Sequence, residues 1–231
     1  MIYVTSDWHG CPLQTVQALL CKAEFSANDY CFVLGDVIDR GEHGVELLQW
    51  LSVQENIELF RGNHEDMMLD CEFLFEEITE KSIDALTSKK LEAVSLWQYN
   101  GGQPTINALK KLPAEERRDL FEFVADALLF DRVEVNGRKY ILLHSGFENF
   151  DPAKAPEDYE AEELLWNRPQ PDTTYYPDIT AVFGHTPTVC FGGEYKGKVF
   201  KTETWIDVDV GAAMGLPPML FRLDDGKEFY L

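Results

Sequence analysis

The chain has 231 residues, 45% of them hydrophobic, and carries 41 acidic against 20 basic side chains for a formal net charge of −21. That length can bury one sizeable core, whereas the negative field opposes nucleic acid and anionic membranes as broad-surface partners. The five cysteines, without a C-x-x-C pair, fit neither a disulfide framework nor a structural zinc site, and no run approaches the ~20 apolar residues that span a bilayer. In chain order, the first strand-like run is Ile2-Tyr3-Val4, reached without a basic and apolar leader, so the expected location is the cytoplasm. Further apolar runs at 31–34, 57–60, 140–143 and 181–183 predict strands covered on both faces. Leu13, Val16, Leu19 and Leu20, then Val45, Leu47, Leu48 and Leu51, recur at helical spacing between the first three runs, which predicts βαβ units.

From about Glu65 to Leu128 the pattern is helical, with Pro113 through Glu116 as a helix first turn, and we read 65–128 as a helical insertion. Asn136-Gly137 supplies the positive φ angles of a type I′ hairpin between two strands, and Asp225-Gly226 predicts a second hairpin. The acidic stretch from Glu148 to Glu163 reads as a surface loop at a rim. The expected fold is α/β with mixed α+β character: one domain over residues 1–231, a sandwich of mixed sheets flanked by helices.

Each predicted strand ends in a compact polar cluster. These are Asp7-Trp8-His9-Gly10, Gly35-Asp36-Val37-Ile38-Asp39-Arg40-Gly41, Gly62-Asn63-His64-Glu65, His144-Ser145-Gly146 and Gly184-His185-Thr186-Pro187. Ligands of α/β sheets gather at the carboxyl ends of strands, where such loops converge. Singly, each cluster has an ordinary explanation: Asn63 can cap a helix, and Asp39-Arg40 can be a surface pair. Jointly they place four of the five histidines beside carboxylates, a donor set suited to manganese, iron or zinc. His43, the fifth, lies outside every cluster and reads as an exposed residue at a helix start, while Met67, Met68, Phe73 and Phe75 read as helix packing.

Those five motifs in this order, with Asn100-Gly101-Gly102 and Trp166-Asn167-Arg168, resemble the phosphoprotein phosphatase family of metallophosphoesterases, above all its small phage and bacterial members. The resemblance runs from residue 1 to about 215 and implies a calcineurin-like fold. It implies two divalent metal ions, most readily Mn2+, bound by Asp7, His9, Asp36 and His185 on one side and by Asp36, Asn63 and His144 on the other, with Asp36 shared. It also implies direct attack by a hydroxide bridging the two ions. His64 would be the general acid, oriented and kept protonated by Asp39, and Arg40 and Arg168 would grip the phosphate. Two residues depart from the family pattern: Ser6 stands where glycine is usual, and Ser145 where alanine or glycine is commoner. Cys11, beside the first motif, is expected to be oxidation-sensitive.

The function so implied is hydrolysis of phosphate monoesters on phosphorylated proteins, a serine/threonine phosphatase that could also accept phosphotyrosine. Symmetrical bis(5′-nucleosyl)-tetraphosphatases use nearly the same motifs on a dinucleotide anhydride. A non-catalytic domain that recognises phosphorylated partners through bound metal is a third reading, disfavoured by the presence of both His64 and Asp39.

Overall fold

The first strands form where β-branched and aromatic residues alternate between two buried faces. β1 (Ile2–Thr5), β2 (Tyr30–Val33) and β3 (Ile57–Leu59) pair in parallel, with Tyr3 opposite Cys31 and Cys31 opposite Ile57. α1 (Leu13–Lys22) and α2 (Gly44–Leu51) are the crossovers, each turning its predicted apolar stripe inward. The computed structural model describes residues 1–77 and 79–231.

After β3 the chain is helical, as the sequence predicts: α3 (Asn63–Asp70), α4 (Glu80–Asp84), α5 (Ser88–Tyr99), α6 (Gln103–Leu109) and α7 (Ala114–Ala125). β4 (Phe130–Val135) and β5 (Arg138–Leu143) make the Asn136-Gly137 hairpin, with positive φ at both turn residues. α8 (Ala161–Leu165) and β6 (Thr180–Phe183) follow, then two short strands that hydropathy does not reveal, β7 (Phe200–Lys201) and β8 (Trp205–Asp207). β9 (Leu220–Arg222) and β10 (Glu228–Phe229) form the second predicted hairpin.

Two sheets result, in the orders β10-β9-β1-β2-β3 and β4-β5-β6-β8-β7. Strands β5, β6 and β8 run parallel, and the antiparallel β4 and β7 close that sheet's edges. The period of two decides the layers. Val4, Phe32 and Leu34 meet Leu142, Val182 and Phe221 between the sheets, while Tyr3, Cys31 and Val33 face α1, α2 and the insertion. On the far side Ile141, Leu143 and Phe183 pack on Phe147, Tyr159, Leu164 and Tyr175.

This last layer corrects one expectation. The 148–163 stretch is more than a surface loop, because it runs into the first turn of α8 and buries Tyr159 against Phe147 at 5.1 Å between ring centroids. Its acidic residues mask those apolar anchors in the sequence. No helix among the described residues is long and apolar enough to cross a membrane.

Candidate metal centre

The polar clusters meet where the carboxyl ends of the parallel strands of both sheets converge. Backbone bonds sew the loops together: Asp7 N–H donates to Gly35 O at 3.0 Å, His9 N–H to Asp36 O at 2.9 Å, and Gly184 N–H to His144 O at 2.9 Å. Tight packing demands glycine here, since a Cβ on Gly184 would fall on Asp7 Oδ2 and Ser6 Oγ. The backbone is also bent at the working residues themselves. Asp7, His9, Asp36, Asp39, Arg40 and His185 supply six of the nine non-glycine residues with positive φ among the described residues. Left-handed conformations of this kind are held only where the surroundings over-determine them.

Asp7, His9, Asp36, Asn63, His144 and His185 are all buried, and the distances between their polar atoms bring them to one centre. Ser6 Oγ and the His185 N–H both bond Asp7 Oδ2, the latter at 2.8 Å, which leaves Asp7 Oδ1 without a hydrogen-bond partner among the described residues. His9 Nε2 lies 3.6 Å from that oxygen and 3.7 Å from Asp36 Oδ2. On the other side, His144 Nδ1 donates to Leu34 O at 2.7 Å, so the neutral ring presents only a lone pair at Nε2. That lone pair faces Asn63 Oδ1 at 3.1 Å, Asp36 Oδ1 at 3.4 Å and His185 Nδ1 at 3.2 Å.

Converging acceptors of this sort, together with the unpartnered buried atoms Asp7 Oδ1 and His185 Nε2, are what divalent cations satisfy. The residues present therefore fit the metal ions that the sequence implies. Asp36 turns one oxygen to each side. Two groups have ligand atoms within 4.8 Å of one another: His9, Asp36 and His64, and Asp36, His144 and His185. The His185 ring thus groups with His144 and Asp36, whereas the resemblance grouped it with Asp7 and His9. Its backbone N–H is tied to Asp7 Oδ2, while its ring Nδ1 lies 3.2 Å from His144 Nε2.

The electrostatics agree with a site short of positive charge. Burial and the neighbouring Asp7 push the Asp36 carboxyl well above the usual range. Burial acts on Asp7 too, but the contact with His9, with help from the Ser6 hydroxyl, outweighs it and holds that carboxyl low. Burial drives His64 well below the ordinary imidazole range, reinforced by His9 and Arg40, even though His64 Nδ1 donates to Asp39 Oδ2 at 2.6 Å. Asp39 therefore orients His64 without keeping it protonated, which corrects the sequence expectation. The Arg40 fork donates to His9 Nε2 and His64 Nε2, each at 3.1 Å. Arg168, on the opposite rim, donates to His185 O at 3.0 Å. Both arginines are exposed above the buried ligands, and a cleft of about 600 Å³ opens beside Arg40, bounded by Cys11, His43, Ala212 and Leu216.

Several contributors went unassigned in the sequence. Buried Glu65 accepts the N–H groups of Asp36 at 2.8 Å, Val37 at 2.9 Å and Gly62 at 3.0 Å, so it shapes the loop that aims Asp36. Its place inside the Gly62-Asn63-His64-Glu65 motif was the available signal. Ser145, noted only as a departure, donates to Leu164 O at 2.8 Å and accepts the Asn167 N–H at 3.0 Å, which anchors the segment bearing Arg168. Asp207 and Asp209 are buried behind Asp7, and burial pushes both well up. Asp207 ends a three-residue strand too short to announce itself, and Asp209 follows two residues later. Cys11 is half-buried and burial pushes its thiol up to about 12, so the expected oxidation sensitivity lacks the thiolate it needs.

A family model described as calcineurin-like phosphoesterase matches residues 1–208. Among curated proteins, a symmetrical bis(5′-nucleosyl)-tetraphosphatase of Buchnera aphidicola subsp. Acyrthosiphon pisum (strain Tuc7) is 34% identical over 65 residues, 27% of this chain and 23% of that protein. The matched stretch thus spans about a quarter of such relatives. Among solved structures, a candidate diadenosine tetraphosphatase aligns over 100% of this chain and 92% of its own, with a TM-score of 0.63 at 17% identity. A protein serine/threonine phosphatase from Saccharomyces cerevisiae aligns over 89% of this chain and 65% of its own, with a TM-score of 0.50 at 18% identity. At these identities the two structures speak to fold alone.

Proposed function

This chain belongs to the calcineurin-like phosphoesterase family, and from that membership we propose that it hydrolyses phosphate monoesters on protein serine and threonine side chains, with phosphotyrosine as a secondary substrate. The observation that carries the substrate reading is the buried His64–Asp39 pair at 2.6 Å. An aliphatic alkoxide is a poor leaving group and needs a proton as the ester bond breaks, whereas a phosphoanhydride releases a stable anion. A positioned general acid therefore matters most for the ester.

In our reading Asp7, His9 and Asp36 hold one divalent cation and Asp36, Asn63, His144 and His185 the other. We propose manganese for both, although the nitrogen and oxygen donors also suit iron or zinc. Bound there, the cations supply Lewis acidity toward water and toward the phosphoryl oxygens. Arg40 and Arg168 rise from opposite rims and offer planar forks to two phosphoryl oxygens. When a phosphate dianion draws Arg40 off the imidazole, His64 loses a cationic neighbour and gains an anionic one. Both changes favour its protonated form. The Nδ1 contact with Asp39 then keeps Nε2 turned toward the departing oxygen, and the cleft beside Arg40 gives the rest of the substrate room.

The matched tetraphosphatase relatives favour a second reading, symmetrical cleavage of dinucleoside tetraphosphates. Turnover of the manganese-loaded protein on phosphoserine peptides and on diadenosine tetraphosphate separates the two, and exclusive cleavage of the dinucleotide defeats the protein substrate. Within the same assay His64→Asn should retain its metal and lose about 10²–10⁴-fold in turnover on phosphopeptide. An unchanged rate removes His64 from the acid role. Asp36→Asn should lose metal as measured by elemental analysis.

A further inference from the structure

The helical insertion does more than flank the site. Asp39 has no exposed surface, and its carboxylate is shared among three donors. His64 Nδ1 reaches Oδ2 at 2.6 Å, the Trp97 indole Nε1–H donates to the same Oδ2 at 2.8 Å, and the Thr105 hydroxyl donates to Oδ1 at 2.6 Å. Thr105 Oγ1 in turn accepts the Asp39 N–H at 3.0 Å, so it holds the residue at both ends. Trp97 comes from α5 and Thr105 from α6, and the elbow between them presses on the same place. Gly101 O accepts the Arg40 N–H at 2.9 Å, and a Cβ on Gly102 would fall on the Trp97 ring.

An indole buried to 0% exposure and a threonine to 2%, both ending on one carboxylate beside the reacting histidine, form a built arrangement. A buried carboxylate held by three donors has little freedom to rotate, and its direction sets that of the imidazole bonded to it.

We propose that Trp97 and Thr105 are positioning residues of the reaction, fixing Asp39 so that His64 presents Nε2 to the leaving oxygen. The inference rests on the reading of His64 as general acid. Neither residue touches substrate, so each acts only through the Asp39–His64 pair. The consequence is specific to the leaving group: an alkoxide needs the proton and a nitrophenolate hardly does.

The test compares manganese-loaded wild type, Trp97→Phe, Thr105→Val and Thr105→Ser on a phosphoserine peptide and on p-nitrophenyl phosphate. Trp97→Phe keeps an aromatic ring, smaller than the indole, and removes the N–H, and Thr105→Val keeps the shape and removes the hydroxyl. Each should lower kcat on the peptide about tenfold, the scale of one charge-assisted hydrogen bond, with KM and metal content unchanged and little effect on p-nitrophenyl phosphate. Thr105→Ser should restore most of the rate. On a His64→Asn background neither change should cost anything further. Equal losses on both substrates, additive losses on that background, or no loss at all would overturn the proposal. If His64→Asn itself does not discriminate between the substrates, the acid reading fails. If His64→Asn discriminates and the Trp97 and Thr105 variants do not, this inference alone fails, and the Thr105 pair decides should Trp97→Phe not fold.

Discussion

Asp39 is the residue at which burial and bonding oppose each other most plainly. Burial raises its carboxyl to about 6, although Thr105 and Trp97 pull it down. A folded-state pKa raised above the ordinary 3.8 means that the bound proton stabilises the fold fully below that value, and that this contribution disappears as pH rises through about 6. Asp39→Asn has no such titration. In metal-free protein the melting temperature of wild type relative to Asp39→Asn should therefore decline between about pH 4 and about pH 7. Melts in chelator measure this directly, and parallel curves for the two proteins would contradict it. Among the buried imidazoles, His64, His144 and His185 are depressed and act in the opposite sense below their ordinary pKa, whereas His9 is raised beside Asp7 and Asp36. The comparison must therefore be a difference between variants rather than a single profile. Ser6 makes a related point: its hydroxyl holds Asp7 Oδ2 and so leaves Oδ1 as the oxygen facing inward.

At the scale of elements, the site is made by short turns rather than by regular structure. β1, β2 and β6 each deliver their ligands within a few residues of the strand end, through left-handed turns at Asp7, Asp36 and His185. The turn after β6 is crowded, because Gly184 abuts Asp7 and Ser6. Gly184→Ala should displace the Asp7 carboxylate, lower the metal retained after gel filtration, and reduce stability by about 1–3 kcal/mol as overpacking does. Full retention of metal with unchanged melting would argue against that geometry. α8 contributes at longer range, since Ser145 bonds both Leu164 and Asn167 and thereby sets the base of the Arg168 segment. The aromatic group around Phe147, with Tyr159 and Tyr175 at 5.1 Å and 5.5 Å, fastens that segment to the second sheet.

Across the whole molecule, a chain of net charge −21 collects Asp7, Asp36, Asp39, Glu65, Asp207 and Asp209 in its buried interior near one pocket. Such a set repels itself unless protons or cations intervene. Manganese should accordingly raise the melting temperature: a thousandfold excess over Kd contributes about 4 kcal/mol per site, which is several degrees for a chain of this length. Differential scanning fluorimetry with and without chelator reads the shift, and Asp36→Asn should abolish most of it. A melting temperature indifferent to the metal would count against the centre.

The amino-acid sequence by itself determined the strands β1, β2, β3, β5 and β6, both hairpins, the helical character of the insertion and the polar clusters that end the strands. These are local properties: hydropathy at period two or 3.6, Asn-Gly turn chemistry, and glycines beside polar residues. Only the tertiary structure decided which side of the centre the His185 ring faces, why Glu65 and Ser145 matter, and that Trp97 and Thr105 reach Asp39 across 58 and 66 positions of sequence. It also reversed the direction expected for His64, because the fields of His9 and Arg40 and the loss of water are set by neighbours far apart along the chain. Short strands such as β8 escaped notice for the same reason, since three residues carry no period and are held in place by the strands beside them.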